Sequence, residues 1–402
     1  MPSVAYWQER LGLKQRVTAL AAALFIFGFG QELWFRYLPE YLRVLGGSAL
    51  VVGLFGTWKD LLDAAYAYPG GMLADRLGAR LCLLLAGGAS VAGVALYLTW
   101  PSLLAVFVGL MLVMCWSSLG LPSTFALIGE ELAGARRVVA FSVQAVVKRI
   151  PILLAPPLGG LLLEKLGVRN GMRAGFAMSV VLAVFALLVL RRTPAPRPPS
   201  AAASFRGAGS GRVRLHPALR QLLIADCLIR LCEGLPDVFL VIWAIEVVKV
   251  SPAQFGILTS VLMGTAILSY LPAGSGAERI EKKPFVLLTY VFFSLFPLAV
   301  FLSRSFLPLL GAYVLGGLRE IGEPARKALI VDLADPLARG KTVGLYYAIR
   351  GFSVAGAAAI GGLLWTIRPA LTFCVAAALG LAGTAWAAAF LPRTPRPQEA
   401  VP

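Results

Sequence analysis

Apolar stretches of helix length follow one another along almost the whole chain, and this pattern limits the fold more than any other feature. About 20 apolar residues cross the hydrocarbon core of a bilayer as an α-helix. The sequence contains twelve such runs, over residues 17–42, 49–72, 79–99, 103–129, 139–163, 171–190, 217–245, 252–275, 284–303, 307–333, 342–366 and 369–391. With 58% hydrophobic and only 14% charged residues, the chain has too little polar surface for a water-soluble domain. We therefore predict an all-α membrane protein with twelve transmembrane helices, which excludes a soluble enzyme.

The two halves of the sequence repeat each other at a nearly constant spacing. An offset of 203 residues places Asp75 on Glu278, and an offset of 202 places Lys148 on Arg350. Matched features of this kind indicate an internal duplication, which is common in transporters. We predict two pseudo-symmetric six-helix bundles.

The predicted bundles comprise residues 1–190 and 217–402. The segment 191–216 between them carries six arginines, no acid and many Pro, Gly and Ser residues, so it is predicted to be a flexible linker. More than half of the 37 Lys and Arg residues fall in segments on the same side of the membrane as both termini. Because basic loops stay in the cytoplasm, we predict that both termini are cytoplasmic. The net charge of +17 then reflects topology and attraction to anionic lipid, with no nucleic-acid partner.

The charged turn after the second span resembles the signature of the major facilitator superfamily between its second and third helices, G-x-L-a-D-r-x-G-r-k. The likeness rests on Gly71, Leu73, Asp75, Arg76 and Gly78; Ala79 replaces a usual basic residue, and Arg80 supplies the next one. The resemblance implies the twelve-helix fold and transport by alternating access. It also implies a gating role for Gly71, Asp75, Arg76, Gly78 and Arg80, and for Glu278 and Arg279 in the second copy.

The chemistry of this turn is compatible with a latch. Asp75 lies just before a predicted helix, where a carboxylate can accept free N–H groups. Arg76 and Arg80 can reach acids or helix C-termini of the opposite bundle. The resemblance implies that the latch holds the cytoplasmic gate, and the alternative is an ordinary charged turn.

A segment rich in proline and glycine in the fifth span carries a second resemblance. Ala155-Pro156-Pro157-Leu158-Gly159-Gly160 is similar to the G-P-x-x-G-G motif of the proton-driven drug efflux branch, with Ala155 in place of the first Gly. The arginine that this branch carries in its fourth helix has no counterpart, since residues 103–129 contain no Arg. We interpret the following residues as sites of close helix packing: Pro156, Gly159, Gly160, Gly361 and Gly362.

Charged side chains inside the spans indicate the transport path, because they are costly in lipid and usually face a watery cavity. They lie in the first, second, fifth, seventh, tenth and eleventh spans, which line the central cavity in the family that the chain resembles. The predicted cavity residues are Glu32, Trp34, Arg36, Lys59, Lys148, Arg319, Tyr346 and Arg350. Trp34 and Tyr346 are expected to stack on the solute.

Many of these charges have an alternative role as structural pairs within one helix. The pairs four residues apart are Glu32 and Arg36, Lys59 and Asp63, Asp226 and Arg230, and Glu323 and Lys327. Lys148 and Arg350 have no acid within one turn of their own helices. They suit an anionic or zwitterionic solute, or carboxylates on the first, seventh or tenth span, and Lys148 can instead snorkel to the membrane surface.

Coupling to protons requires a carboxyl group that can hold a proton in a dry site. Glu233 and Asp237 are four residues apart, so their repulsion favours protonation of one of them. The predicted coupling residues are Glu32, Glu233, Asp237, Glu320 and Glu323. The single histidine, His216, lies at the linker edge, and the chain has no P-loop for ATP. No metal or cofactor is expected, because the five cysteines show no C-x-x-C spacing.

These observations predict a secondary active transporter that moves a small organic solute by alternating access. We predict proton-coupled efflux, or antiport, across an inner (plasma) membrane. The alternative is proton-coupled uptake, or symport, of a charged or zwitterionic metabolite. A non-transporting sensor or scaffold is an alternative of another class. No catalytic constellation indicates an enzyme, and we expect a monomer whose partners are the solute, protons and membrane lipids.

Overall fold

The computed structural model describes residues 15–119, 135–192, 215–276, 282–334 and 339–391, and these are almost entirely helical. Several residues with predicted roles are not described, or are described only in part. Glu278 and Arg279 lie outside the described residues. Of Gly71, Asp75, Arg76 and Lys148, only the backbone is described. Their predicted roles stay predictions.

Six helices form the described part of the N-terminal half. They are α1 (Gln15–Glu32), α2 (Leu38–Val44), α3 (Ala49–Leu77), α4 (Ala79–Thr99), α5 (Leu103–Met114) and α6 (Ala135–Arg192). Gly78, with φ 79°, separates α3 from α4, and Gly167, with φ 75°, breaks α6 into two parts. A left-handed φ of this kind suits glycine because it has no Cβ. The break in α6 separates the fifth and sixth predicted spans.

Eight helices form the described part of the C-terminal half. They are α7 (Pro217–Gly234), α8 (Pro252–Gly276), α9 (Lys282–Leu302), α10 (Phe306–Leu318), α11 (Glu323–Asp332), α12 (Arg339–Val354), α13 (Ala357–Ile367) and α14 (Pro369–Phe390). After α7 the chain continues through short helical pieces as far as Val247. Three predicted spans of this half, the seventh, tenth and eleventh, are therefore interrupted, at residues 235–236, 319–322 and 355–356.

Six stretches of the described residues are long and apolar enough to cross a membrane. They are Arg80–Thr99, Arg149–Arg192, Pro252–Ser269, Lys282–Leu302, Thr342–Ile367 and Pro369–Phe390. The stretch Arg149–Arg192 contains the break at Gly167. The remaining predicted spans are interrupted, carry more charge, or are only partly described.

Contacts divide the chain into two compact units. The first comprises Met1–Gly47 and Trp58–Ser204, and the second comprises Ser48–Thr57 and Phe205–Pro402. The segment Ser48–Thr57 thus groups with the C-terminal half, which the sequence does not predict. It packs against α13, where the Thr57 hydroxyl accepts a 3.0 Å hydrogen bond from the Ala359 amide.

Both halves contain the same glycine contact at a helix break. A Cβ added to Gly159 on α6 would lie 1.8 Å from the Leu33 carbonyl oxygen, where α1 has ended. A Cβ added to Gly361 on α13 would lie 2.1 Å from the Leu235 carbonyl oxygen, where α7 has ended. Both the glycines and the leucines are 202 residues apart. Each unit therefore places a glycine directly on the carbonyl of an interrupted helix.

A second contact is also repeated in the two halves. Arg80, in the first turn of α4, donates to the carbonyl of Arg191 at the end of α6. Lys283, in the first turn of α9, donates to the carbonyls of Ala388 and Leu391 at 3.0 and 2.6 Å, at the end of α14. These cations satisfy helix carbonyls that have no intrahelical partner. Arg80 thus reaches a helix C-terminus of its own unit, whereas the predicted contact was with the opposite bundle.

We expect the substitution Lys283→Met to lower the free energy of unfolding by about 0.5–1 kcal/mol, because α14 loses a cation that caps its last carbonyls. Thermal unfolding of the protein in detergent measures this change. The control Lys327→Met removes an exposed lysine of the same unit and is expected to have little effect. Equal effects of the two substitutions would contradict the capping role.

Candidate functional site

Seven charged side chains of the C-terminal unit form a chain of alternating sign, here called the charge chain. In order, it consists of Arg319, Glu233, Arg230, Glu323, Arg326, Asp226 and Arg350. The successive N–O distances are 3.3, 2.6, 3.0, 2.7, 2.6 and 3.4 Å. Each carboxylate lies between two arginines. The arginines at the two ends have one carboxylate partner each among the described residues, and their ion pairs are the longest.

Three segments supply the charge chain. Asp226, Arg230 and Glu233 are spaced by four and three residues on α7, so they share one helix face. Arg319 follows α10, Glu323 and Arg326 open α11, and Arg350 lies on α12. The chain therefore ties α7 to the interrupted tenth span and to α12.

The interruption between α10 and α11 is built around Gly322. Its amide donates a 2.6 Å hydrogen bond to the Thr289 hydroxyl on α9. A Cβ at this position would lie 2.1 Å from the Phe285 carbonyl oxygen. Only glycine allows this approach to α9, which sets where Arg319 and Glu323 emerge on either side of the break.

Burial changes along the charge chain. Asp226 and Arg326 are 1% and 2% exposed in their side chains, whereas Arg319 and Arg350 are 18% and 21% exposed. The Asp226 carboxylate accepts from Arg326 at 2.6 Å, from the Tyr346 hydroxyl at 2.9 Å and from the Tyr290 hydroxyl at 3.4 Å. Buried ions persist only when paired and hydrogen-bonded in this way. The stretch from Glu323 through Arg326 to Asp226 is therefore dry, whereas Arg350 on one side and Arg230, Glu233 and Arg319 on the other are partly exposed.

Aromatic rings support the arginines of the charge chain. The guanidinium of Arg319 lies 5.1 and 5.6 Å from the ring centres of Phe293 and Phe296 on α9. The guanidinium of Arg350 lies 4.6 Å from the ring of Tyr347, on its own helix. Such cation–π contacts favour the charged groups and orient their planes.

The structure brings together five of the predicted site residues, namely Glu233, Arg319, Glu323, Tyr346 and Arg350. Tyr346 is fully buried and hydrogen-bonds Asp226, so it does not offer the stacking surface that was predicted. Asp237 is exposed one turn after Glu233, and Glu320 is partly buried beside Arg319. Both acids have contacts of their own.

Asp226, Arg230 and Arg326 were not among the predicted site residues. Their spacing predicted that Asp226 and Arg230 are partners on one helix, yet the ion pairs of Asp226 are with Arg326 and Arg350. Similarly, Glu323 pairs with Arg326 and Arg230, while its predicted partner Lys327 is exposed. The available signal was the density of charge in the seventh and tenth spans.

The predicted cavity residues of the N-terminal half lie in the other unit. Arg36 donates to Glu32 at 3.1 Å, which is the predicted pair, and Lys59 lies 3.5 Å from Asp60. Trp34 is fully buried and packs edge-on against Tyr97 and Phe176, with ring centres 5.7 and 5.1 Å away. Its position is that of a packing residue.

Comparison with known proteins places this geometry in context. The family model described as Major Facilitator Superfamily matches residues 20–229 and 222–402. An uncharacterised MFS-type transporter of Methanocaldococcus jannaschii is 21% identical over 389 residues, which are 92% of this chain and 93% of the relative.

Solved structures of transporters share the fold. The nucleoside transporter NupG, in a mutant form, superposes with a TM-score of 0.76 at 12% identity, covering 94% of this chain and 100% of its own. A POT family transporter in complex with 5-aminolevulinic acid has a TM-score of 0.73 at 15% identity, covering 92% and 94%. The predicted all-α transporter fold is confirmed.

Proposed function

Because the chain belongs to the Major Facilitator Superfamily and is a multi-pass membrane transporter, not an enzyme, we propose that it is a proton-coupled secondary active carrier. It moves a small organic solute across an inner (plasma) membrane by alternating access, with both termini in the cytoplasm. The solute and the coupling proton act at the charge chain of the C-terminal unit.

The proposal rests mainly on the presence of the charge chain inside predicted membrane-spanning segments. Taking ions out of water costs several kcal/mol each, on the order of the net stability of a protein. Apolar residues would hold three helix segments together at lower cost. Charged groups inside spans usually mark a solute or proton pathway. The chain's partly open ends supply groups that a solute can contact.

Proton coupling is proposed to act at Glu233. It is the most exposed carboxylate of the charge chain, at 26%, compared with 1% for Asp226 and 7% for Glu323. Glu233 lies 2.6 Å from Arg230 and 3.3 Å from Arg319, so a proton can take the place of the longer ion pair. The two arginines favour the ionised carboxylate and the negative charge of Asp237, one turn away, opposes it, so protonation of Glu233 requires Arg319 to leave the pair. Glu32, Glu320 and Glu323 stay further candidates.

Two directions of transport are proposed, each from its own observation. Efflux by antiport rests on the resemblance of residues 155–160 to the efflux motif. Uptake by symport of a charged or zwitterionic metabolite is favoured by the charge chain, since a pocket for apolar drugs does not need seven ions. The close backbone contact of Gly159 recurs at Gly361 in the other half, where the efflux motif is absent. Gly159 therefore has a packing role whether or not the motif indicates efflux.

Flux measurements in proteoliposomes test the proposal. The purified protein is reconstituted, a pH gradient is imposed in either direction, and the movement of 5-aminolevulinic acid, alanyl-alanine, succinate and ethidium is followed. We expect flux of at least one class to depend on the gradient. Movement of solute with the protons supports symport, and movement against them supports antiport. Flux no greater than in protein-free liposomes, for every solute and both gradients, would favour a sensor or scaffold.

A further inference from the structure

We propose that Arg350 binds an oxyanion group of the transported solute, a carboxylate or a phosphate, and thereby makes this protein a carrier of organic anions or zwitterions. The inference rests on the proposed function and adds the chemical class of the solute and the residue that recognises it.

Arg350 is weakly held compared with the interior arginines of the charge chain. Its one ion pair among the described residues is 3.4 Å long, to an Asp226 oxygen that also accepts from Arg326 at 2.6 Å and from Tyr346 at 2.9 Å. A guanidinium has five N–H donors. Most donors of Arg350 therefore have no partner in the part of the protein that the structure describes, although the side chain lies in a transmembrane helix.

The two ends of the charge chain differ in how firmly they are fixed. Arg319 lies over two rings of α9, Phe293 and Phe296, both of which are buried. Arg350 stacks only on Tyr347 of its own helix, and a Cβ added to the adjacent Gly351 would meet no atom within 4 Å. The Arg350 side chain is 21% exposed, so a ligand can reach it.

The charge chain contains four arginines and three carboxylates. Each carboxylate lies between two arginines, so its charge is balanced within the protein, whereas most N–H donors of Arg350 have no partner among the described residues. The planar fork of arginine matches carboxylate and phosphate oxygens in a bidentate arrangement, and the ring of Tyr347 holds the plane of the fork.

Replacing both Arg350 and its partner Asp226 by neutral residues tests whether Arg350 binds the solute or only balances the charge of Asp226. The variants Asp226→Asn, Arg350→Gln and the double variant are compared with wild type, because Asp226→Asn alone also removes a partner of Arg326. If Arg350 served only to balance Asp226, the double variant would transport no worse than Asp226→Asn. If Arg350 binds the solute, the double variant is more defective than Asp226→Asn, although size-exclusion chromatography shows all three folded.

The assay measures flux of succinate and of glycerol 3-phosphate in proteoliposomes, which distinguishes a carboxylate from a phosphate as the bound group. We expect Arg350→Gln and the double variant to lose at least about tenfold in transport of the accepted anion. Arg350→Lys keeps the charge but loses the fork, so its KM is expected to rise more than its kcat falls. The control Arg220→Gln, at an exposed arginine of α7, is expected to transport like wild type.

Three outcomes would overturn this inference and leave the proposed function intact. They are flux in the double variant no lower than in Asp226→Asn, gradient-dependent transport of ethidium only, and gradient-dependent transport that Arg350→Gln does not change. Absence of gradient-dependent flux in the wild-type protein, for every solute, would overturn the proposed function and this inference with it. Loss in Arg350→Gln, and a greater loss in the double variant than in Asp226→Asn, with Arg220→Gln unaffected, supports the inference.

Discussion

The substitution Arg326→Met is expected to lower the free energy of unfolding by about 3–5 kcal/mol, the cost of breaking a buried ion pair from one side. Arg326 is 2% exposed and donates to Asp226 at 2.6 Å and to Glu323 at 3.1 and 2.7 Å. Methionine fills a similar volume but leaves two buried carboxylates without their common partner. Thermal unfolding in detergent, with an intrinsic fluorescence signal, measures the loss.

The matched control is Arg36→Met in the N-terminal unit. Arg36 pairs with Glu32 at 3.1 Å across the break that follows α1, and its side chain is 37% exposed. Such an exposed pair contributes only about 0.3–0.5 kcal/mol. If Arg326→Met cost no more than Arg36→Met, the charge chain would not be a buried, mutually dependent unit.

The substitutions Gly159→Ala and Gly361→Ala should each destabilise the protein by about 1–3 kcal/mol, the usual cost of overpacking a close contact. The added methyl groups would lie 1.8 Å from the Leu33 carbonyl oxygen and 2.1 Å from the Leu235 carbonyl oxygen. Backbone atoms cannot move aside as a flexible side chain can. Because the two sites are equivalent in the repeat, we expect effects of similar size.

The direction of the change in stability distinguishes a close contact from an open helix position. In an open helix position, replacing glycine by alanine stabilises by about 1 kcal/mol. Gly344 and Gly351 on α12 provide that case, since an added Cβ meets no atom within 4 Å at either position. Melting temperatures should therefore fall for Gly159→Ala and Gly361→Ala and hold or rise for Gly344→Ala and Gly351→Ala. A rise in all four variants would contradict the close contacts.

The sequence predicted the helical membrane fold because apolar runs of helix length are a direct consequence of the bilayer thickness. It did not predict the interruptions in those runs. The first span breaks after Glu32 without an internal proline, although Pro39 opens α2. The break between α10 and α11 depends on a contact of Gly322 with α9. Tertiary contacts of this kind leave no local pattern in the chain.

The candidate site was predicted only in part, for a related reason. Spacing along a helix identifies partners on one face, so Glu32 and Arg36 were found. It does not identify Asp226 and Arg326, which are 100 residues apart and meet inside the C-terminal unit. Arg350 was noticed because its own helix offers no acid, and its partner Asp226 lies on the seventh span, one of the alternatives that the sequence left open.

The proposed function requires that the charge chain faces water. Thiol labelling at two positions of α12 tests this. Tyr347 contacts the Arg350 guanidinium, whereas Phe352 is 75% exposed and apolar. Five residues turn a helix by about 140°, so the two side chains lie on different faces. The variants Tyr347→Cys and Phe352→Cys are made after the five native cysteines are replaced by alanine, and both are treated with a charged, membrane-impermeant methanethiosulfonate. We expect rapid labelling at position 347, slowed by the transported solute, and little labelling at position 352. Rapid labelling at 352 with none at 347 would contradict the proposed function.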